Sequence, residues 1–187
     1  IKSAASKIKQ EYNKGKSVIA IVSAMSGTTN KLIKLVGEIT KTFDVSEYDT
    51  VISSGEQITS GLLSIALKNI GINAKSWLGW QVPILTDNNF GKANIKDVQT
   101  LNILNELEKG YVPVISGFQG ITNENRITTL GRGGSDTSAV AIAAAFKAER
   151  CDIYTDVDGV YTTDPRIVPK ATKLNFITFE EMLELSS

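Results

Sequence analysis

Hydrophobic positions along the chain alternate between short continuous runs and longer runs with a helical period. Short apolar runs rich in β-branched residues are typical of strands that are buried on both faces. The runs that predict strands are residues 17–23 (SVIAIVS), 73–79 (NAKSWLG), 81–86 (QVPILT, interrupted by Pro83), 111–118 (YVPVISGF) and 151–157 (CDIYTDV).

Between these runs, apolar residues recur every three or four positions, which predicts amphipathic helices. Two of these segments end in glycine, Gly71 and Gly110, and we expect each helix to stop there because glycine readily adopts the left-handed conformation. The segments that predict helices are residues 1–16, 30–43, 54–71, 95–110 and 137–147.

This alternation of strands and helices predicts an α/β fold, a single domain over residues 1–187 with a largely parallel sheet between two helical layers. Ligands of such sheets bind beyond the carboxyl ends of the strands. Small and polar residues follow three of the predicted strands, at residues 22–30 (VSAMSGTTN), 116–120 (SGFQG) and 155–166 (TDVDGVYTTDPR). We therefore expect the functional site at this edge of the sheet.

The charge balance and the residue types exclude several classes of function. Lys+Arg and Asp+Glu both number 20, so there is no excess positive charge for binding nucleic acid or a membrane surface. The chain has no histidine, which excludes Ser-His-Asp triads, His general bases and His-ligated metals, and we expect no protein-held metal. The single cysteine, Cys151, opens an apolar run, so we expect a buried thiol in a reducing, cytoplasmic setting.

Residues 128–146 (TTLGRGGSDTSAVAIAAAF) combine three glycines with charged and hydroxyl side chains ahead of an apolar helix. Ser135 or Asp136 is a natural N-cap, which leaves open the interpretation of a capped helix and nothing more. The glycines also let the backbone approach a ligand closely, and Arg132 is a bidentate donor for a carboxylate or phosphate. A phosphate cradle, a substrate clamp and a capped helix all stay open on these residues alone.

Three further segments carry weaker signals. Residues 22–30 lack the lysine of a Walker loop, so a turn capped by Ser26 or Thr28 is the simpler interpretation. Glu56 lies near a helix start, where the dipole favours a carboxylate. In residues 155–166, Asp158-Gly159 predicts a hairpin turn. That turn does not explain the polar and aromatic residues around it, which suit a nucleotide: Thr155, Asp156, Tyr161 and Arg166.

Taken together and in order, the motifs VSAMSGTTNKL, SSGEQ, GFQG, TTLGRGGSDTSA and YTDVDGVYTTDPR closely resemble those of the aspartate kinases, in the amino-acid kinase superfamily. The resemblance covers essentially the whole chain and implies the amino-acid kinase fold. TTLGRGGSDTSA after GFQG is specific to that family, whereas DVDGVYTTDPR is shared with glutamate 5-kinase and the bacterial uridylate kinases.

The resemblance implies a role for each matching residue. Arg132 matches the clamp for the α-carboxylate of aspartate, Glu56 the partner of its ammonium group, and Asp136 the aspartate that orients the catalytic lysine. Other residues would line the substrate pocket, namely Thr29, Phe118, Gly133, Gly134 and Ser135. The residues implied to bind the nucleotide are Ser23, Thr155, Asp156, Tyr161 and Arg166.

The resemblance further implies ATP-dependent phosphorylation of the β-carboxylate of L-aspartate, with Mg²⁺ on the ATP phosphates, as the first step towards lysine, diaminopimelate, threonine and methionine. The partners would be these small molecules, without nucleic acid or membrane, and a homo-oligomer stays open. Aspartate kinases carry a K-F-G-G-T loop and C-terminal ACT domains that these 187 residues do not match. We expect a chain of these residues alone to be impaired. A non-catalytic binding fragment and another kinase of the superfamily are the alternatives.

Overall fold

The computed structural model describes residues 1–155, 159, 161–163 and 167–178. The chain splits into two compact units, Ile1–Cys151 and Asp152–Ser187. The helices are α1 (Lys2–Asn13), α2 (Thr28–Ile39), α3 (Val45–Ile52), α4 (Ser54–Asn69), α5 (Leu101–Glu108) and α6 (Gly134–Ala145). The strands are β1 (Ala20–Val22), β2 (Ala74–Trp77), β3 (Ile84–Thr86), β4 (Ile95–Val98), β5 (Val112–Ser116), β6 (Gln119–Ile121) and β7 (Ile127–Thr129).

The first sheet is parallel and has the strand order β1-β5-β2. Its central strand β5 is buried along its whole length, as the continuous apolar run predicts. Alternate residues of β5 enter two different cores: Val112 and Val114 join a cluster with α1 and α4, and Ile115 joins a cluster with α5 and α6. Helices therefore cover both faces of a parallel sheet, and the predicted α/β fold with an αβα arrangement is confirmed.

A second sheet, with the order β4-β3-β6-β7, mixes antiparallel and parallel pairs. The prediction of one helix over residues 95–110 is wrong in its first part, because residues 95–98 form β4 and the helix begins at Leu101. Ile95 and Val98 have the spacing of a helix face, which misled the prediction. The backbone of this segment instead pairs with β3 across a bulge, so pairing in the tertiary structure overrides the local pattern.

The predicted helix ends at Gly71 and Gly110 are confirmed. Gly71 has φ 83°, and its N–H donates to Lys68 O at 3.0 Å while the next N–H, of Ile72, donates to Leu67 O at 3.0 Å. Gly110 has φ 77° and closes α5 with the same pair of bonds. This is the Schellman arrangement, in which a left-handed residue lets two otherwise unpaired carbonyl groups accept hydrogen bonds.

The second unit contains an isolated antiparallel bridge between Tyr161 and Lys173. The strand predicted over residues 151–157 is wrong for its described part, because residues 151–155 form no strand. Cys151 is exposed rather than buried, so the expectation of a buried thiol is also wrong. An apolar run becomes a buried strand only when another strand pairs with it, and no described strand pairs with residues 151–155.

Candidate functional site

A cavity of about 610 Å³ lies in the first unit, beyond the carboxyl end of β1. Seven segments line it: the residues after β1, the start of α2, α3, the start of α4, the loop between β3 and β4, the turn after β5, and the end of β7 with the loop into α6. Nine of the predicted site residues line this one cavity, namely Ser23, Thr29, Glu56, Phe118, Arg132, Gly133, Gly134, Ser135 and Asp136. The predicted position of the site, at the carboxyl edge of the parallel sheet, agrees with this placement.

Glu56 is the buried charged group of the cavity wall, with 4% of its surface exposed. Its Oε1 accepts a hydrogen bond from Ala24 N–H at 2.9 Å, whereas its Oε2 is buried and has no hydrogen-bond partner in the described part of the chain. Burial raises the pKa of the Glu56 carboxyl, and the Ala24 N–H partly opposes this shift. A buried acceptor oxygen without a donor is costly, and a ligand that supplies a cationic N–H would remove that cost.

Three helices begin at the cavity, and none has a side-chain cap. The prediction that Ser26 or Thr28 caps α2, and Ser135 or Asp136 caps α6, is wrong. The N-caps are Gly27 with φ 76° and Gly133 with φ 71°, because a turn in the left-handed region starts each helix at a glycine.

The early start of α6 places Ser135 and Asp136 in its first turn. Their backbone N–H groups therefore have no intrahelical acceptor and can donate to a ligand. By contrast, the Asp44 side chain caps α3 by accepting hydrogen bonds from two backbone N–H groups. Uncapped helix starts on a cavity wall favour an anion there.

Arg132 and Asp136 are the charged side chains of the loop into α6, and both are exposed. Within the described part of the chain, neither side chain has a hydrogen-bond or ion-pair partner. An Arg without an ion-pair partner, next to uncapped helix starts, is well suited to bind a carboxylate or phosphate group.

Phe118 holds an unusual backbone conformation for a non-glycine residue, with φ 64°. Its N–H donates to Ser138 Oγ at 3.0 Å, and that hydroxyl donates to Gly134 O at 2.8 Å. Gly134 permits this packing, since a Cβ there would lie 2.7 Å from Phe118 Cδ2. The turn after β5 and the start of α6 are therefore locked together where they form the cavity wall.

Sequence reasoning missed part of the wall, and it missed the carboxylate behind that wall. The wall residues not predicted are Ala24, Ile33, Tyr48, Ile52, Gly91, Thr129 and Gly131. Asp49 lies directly behind them, fully buried, and hydrogen bonds to Gly91 and Thr129. One signal could have identified Asp49: it lies three residues before the buried Ile52, hence on the inner face of α3.

The residues predicted to bind the nucleotide, other than Ser23, lie in the second unit. Thr155 and Tyr161 are described there, and Tyr161 forms the bridge with Lys173. Asp156 and Arg166, with the hairpin predicted at Asp158-Gly159, involve residues outside the described ranges. The nucleotide-binding role of these four residues stays a prediction.

The described residues contain no group of three or more His, Cys, Asp or Glu side chains arranged to hold a metal ion. Among the same residues, no helix combines the length and apolar character that crossing a membrane requires.

Comparison with known proteins identifies relatives over the whole chain. The aspartokinase of Rickettsia bellii (strain RML369-C) is 55% identical over 183 residues, which are 96% of this chain and 45% of the relative. The aspartate kinase of Pseudomonas putida (strain KT2440) is 51% identical over 187 residues, 100% of this chain and 46% of the relative. The chain thus spans less than half of the length of these curated relatives.

Solved structures of aspartate kinases are also similar to this chain. The aspartate kinase from Synechocystis superimposes with a TM-score of 0.82 at 44% identity, covering 99% of this chain and 30% of that one. The E. coli aspartokinase III in complex with aspartate and ADP gives a TM-score of 0.74 at 33% identity, covering 84% of this chain and 36% of that one. These relatives confirm the resemblance predicted from the motifs. The model of the amino acid kinase family matches residues 1–187, and the chain therefore belongs to that family.

Proposed function

We propose that this chain forms the catalytic part of an ATP-dependent kinase that phosphorylates the β-carboxylate of L-aspartate to 4-phospho-L-aspartate. The observation that supports this most strongly is the pair of complementary groups on one cavity, the Oε2 of Glu56 and the guanidinium of Arg132, neither of which has a hydrogen-bond or ion-pair partner among the described residues. An α-amino acid carries one ammonium and one α-carboxylate, and these two groups are its matching partners in charge.

In this proposal Glu56 accepts from the substrate ammonium and Arg132 binds its α-carboxylate, with Thr29 and Phe118 beside them on the wall. The β-carboxylate then points towards the helix starts. It is ionised at neutral pH and needs no general base, so the lack of histidine is compatible with the reaction. Its oxygen attacks the γ-phosphorus of ATP, the bond to the β–γ bridging oxygen breaks, and ADP leaves.

Positioning and charge neutralisation dominate the catalysis of phosphoryl transfer. The uncapped N–H groups of α2 and α6 can donate to phosphate oxygens, and Ser23 lies beside them at the end of β1. Mg²⁺ would be carried by the ATP phosphates and would neutralise their charge. Asp136 would orient a catalytic lysine, and Thr155, Asp156, Tyr161 and Arg166 would hold the nucleoside and its phosphates. We place the enzyme in the cytoplasm, ahead of lysine, diaminopimelate, threonine and methionine synthesis.

The test traps the acyl phosphate. In the extended protein used for this test, the chain replaces the matching part of an aspartokinase relative, since it spans less than half of such a relative. The extended protein is incubated with Mg-ATP, aspartate and hydroxylamine. We expect aspartyl hydroxamate to form, because hydroxylamine displaces phosphate from an acyl phosphate. Glutamate and uridylate are the matched alternative substrates. Product from either of them, with none from aspartate, would refute the substrate assignment and leave the family unchanged.

Calorimetry of the unextended chain with ATP and with aspartate separates binding from turnover. Aspartate binding that Glu56→Gln weakens would support the proposed substrate site. If aspartate binds neither to the unextended chain nor to the extended protein, and the extended protein is well folded, the cavity is not an aspartate site.

A further inference from the structure

Asp49, on α3, is a carboxylate with no exposed surface. Its Oδ2 accepts from Gly91 N–H at 2.9 Å and from Thr129 N–H at 2.8 Å, and its Oδ1 accepts from the Thr129 hydroxyl at 2.8 Å. No lysine or arginine of the described residues forms an ion pair with it. Burying a carboxylate that has only neutral donors costs free energy, so the groups that Asp49 holds in place indicate its role.

The two residues that Asp49 binds belong to different segments of the cavity wall. Gly91 lies in the loop between β3 and β4, and Thr129 ends strand β7. Both line the cavity, whereas Asp49 lies behind them. Ala93 N–H also donates to Thr129 O at 2.9 Å, so the two segments are joined to each other as well as to α3.

Asp49 anchors Thr129 shortly before the loop that carries Arg132. Leu130 N–H donates to Phe118 O at 3.0 Å, and Gly134 N–H donates to Gly131 O at 3.1 Å, which closes a turn into α6. The glycines on either side of Arg132 have positive φ and no side chain to support the turn. The position of the Arg132 backbone is therefore set by its two ends, and Asp49 holds one of them.

We propose that Asp49 is a positioning residue of the amino-acid site: through Gly91 and Thr129 it fixes the loop from which Arg132 reaches the substrate carboxylate. This inference rests on the proposed function for its substrate. Asp49 touches neither substrate nor nucleotide in this arrangement, and it acts through hydrogen bonds rather than through its charge.

The amide of asparagine distinguishes hydrogen bonding from charge. In Asp49→Asn, the side-chain oxygen can accept from the two backbone N–H groups, and its NH₂ can donate to Thr129 Oγ1, which then acts as acceptor. All three contacts of the carboxylate keep a compatible partner. In Asp49→Ala all three are lost, and in Thr129→Val only the hydroxyl contact is lost.

The extended protein is assayed with each substrate varied in turn. We expect Asp49→Ala to raise KM for aspartate by about tenfold to a hundredfold, because displacing a binding group by even 1 Å is costly. KM for ATP and kcat should change by less than about threefold, since Arg132 binds the substrate carboxylate equally in ground and transition states. Asp49→Asn should recover most of the loss, and Thr129→Val should lie between the two. Asp97→Ala, an exposed aspartate on β4, is the matched control and should change neither KM.

Amide hydrogen exchange supplies a readout that does not depend on activity. In Asp49→Ala the Gly91 and Thr129 amides should lose protection while the amides of β5 keep theirs. An Asp49→Asn variant as defective as Asp49→Ala would overturn the inference, and so would equal increases in both KM values. If the unsubstituted protein does not phosphorylate aspartate, the proposed function fails by itself. The exchange pattern then decides the role of Asp49: unchanged protection at Gly91 and Thr129 overturns it, and selective loss supports it.

Discussion

Replacing Glu56 by glutamine should have opposite effects on two properties: it should weaken aspartate binding, and it should raise the relative stability of the folded protein at neutral pH. The substitution keeps the shape of the side chain, and the amide oxygen can still accept from Ala24 N–H, now 2.9 Å from Oε1. It removes the charge and replaces the partnerless Oε2 by a donor group. If Oε2 accepts from the ammonium of the substrate, the variant presents N–H groups to N–H groups.

The size of the effect on binding follows from the type of bond. A hydrogen bond to a charged group contributes about 1.5–3 kcal/mol. Its loss weakens aspartate binding by about tenfold to a hundredfold. ATP affinity should change little, because the Glu56 carboxylate is assigned to the amino acid. Calorimetric titration of the variant and the unsubstituted chain with each ligand measures both.

The effect on folding has its own pH signature. Burial raises the pKa of Glu56 above the ordinary 4.5, so the folded protein holds this proton more tightly than the unfolded chain. Below pH 4.5 both states are protonated and the carboxyl imposes no ionisation cost. As the pH rises through the folded-state pKa, stability contributed by the neutral carboxyl is lost. Relative to the unsubstituted chain, Glu56→Gln should therefore be more stable at pH 7 than at pH 4.

Urea denaturation at pH 4 and pH 7 checks this sign. Glu106→Gln is the matched control, since Glu106 is also buried but lies on α5 and pairs with Lys75 at 3.2 Å. It should leave aspartate affinity unchanged. The reasoning fails if Glu56→Gln binds aspartate as tightly as the unsubstituted chain, or if its relative stability falls as the pH rises.

Three further predictions concern the cavity wall and a helix cap. Gly55→Ala places a Cβ 2.8 Å from Ala24 Cβ and should lower the free energy of unfolding by about 1–3 kcal/mol. Gly61→Ala, in the same helix, places its Cβ in open space and should raise the free energy of unfolding by about 0.5–1 kcal/mol. Urea denaturation that gives both changes the same sign contradicts this prediction. Arg132→Lys keeps the charge but loses the bidentate geometry and should weaken aspartate binding by about tenfold with ATP binding unchanged, and calorimetry showing no loss would remove Arg132 from the site. Hydrogen bonds from Ser46, through its side chain and its backbone N–H, lower the pKa of Asp44, so Asp44→Ala should lower Tm at pH 7 and the difference in Tm should shrink as the pH falls below 3.8. Asp44→Asn should keep most of the cap. Circular dichroism that shows a difference in Tm independent of pH would refute the assignment.

Local signals predicted the elements whose boundaries depend on local geometry. The stops at Gly71 and Gly110 could be predicted because a left-handed residue closes a helix wherever it occurs. β5 could be predicted because a continuous apolar run suits burial on both faces. β4 could not, since Ile95 and Val98 satisfy a helical period and only the partner strand decides between the two structures.

The same distinction applies to the site. Motif resemblance predicted nine residues that line one cavity, because the residues that contact a ligand recur in fixed local patterns. It did not predict Asp49, whose partners Gly91 and Thr129 are 42 and 80 residues away in the sequence. Its spacing from Ile52 indicates the buried face of α3, but only the assembled fold shows that Asp49 joins two distant segments of the chain.

The incorrectly predicted N-caps of α2 and α6 bear on the proposed chemistry. Sequence preference places Ser or Asp at a helix start because the side chain satisfies the first-turn N–H groups. At α2 and α6 a left-handed glycine starts the helix instead. The first N–H of each helix donates to a turn carbonyl, Met25 O or Gly131 O, and the next two N–H groups have no acceptor among the described residues. Capping them would stabilise each helix by about 1 kcal/mol and would occupy the donors that an anionic substrate needs. The α3 helix carries the Asp44 cap that the other two lack. The local rule also fails at α5, where Thr100 makes no side-chain cap bond. What is particular to α2 and α6 is a left-handed glycine ahead of a first turn that lies on the cavity wall.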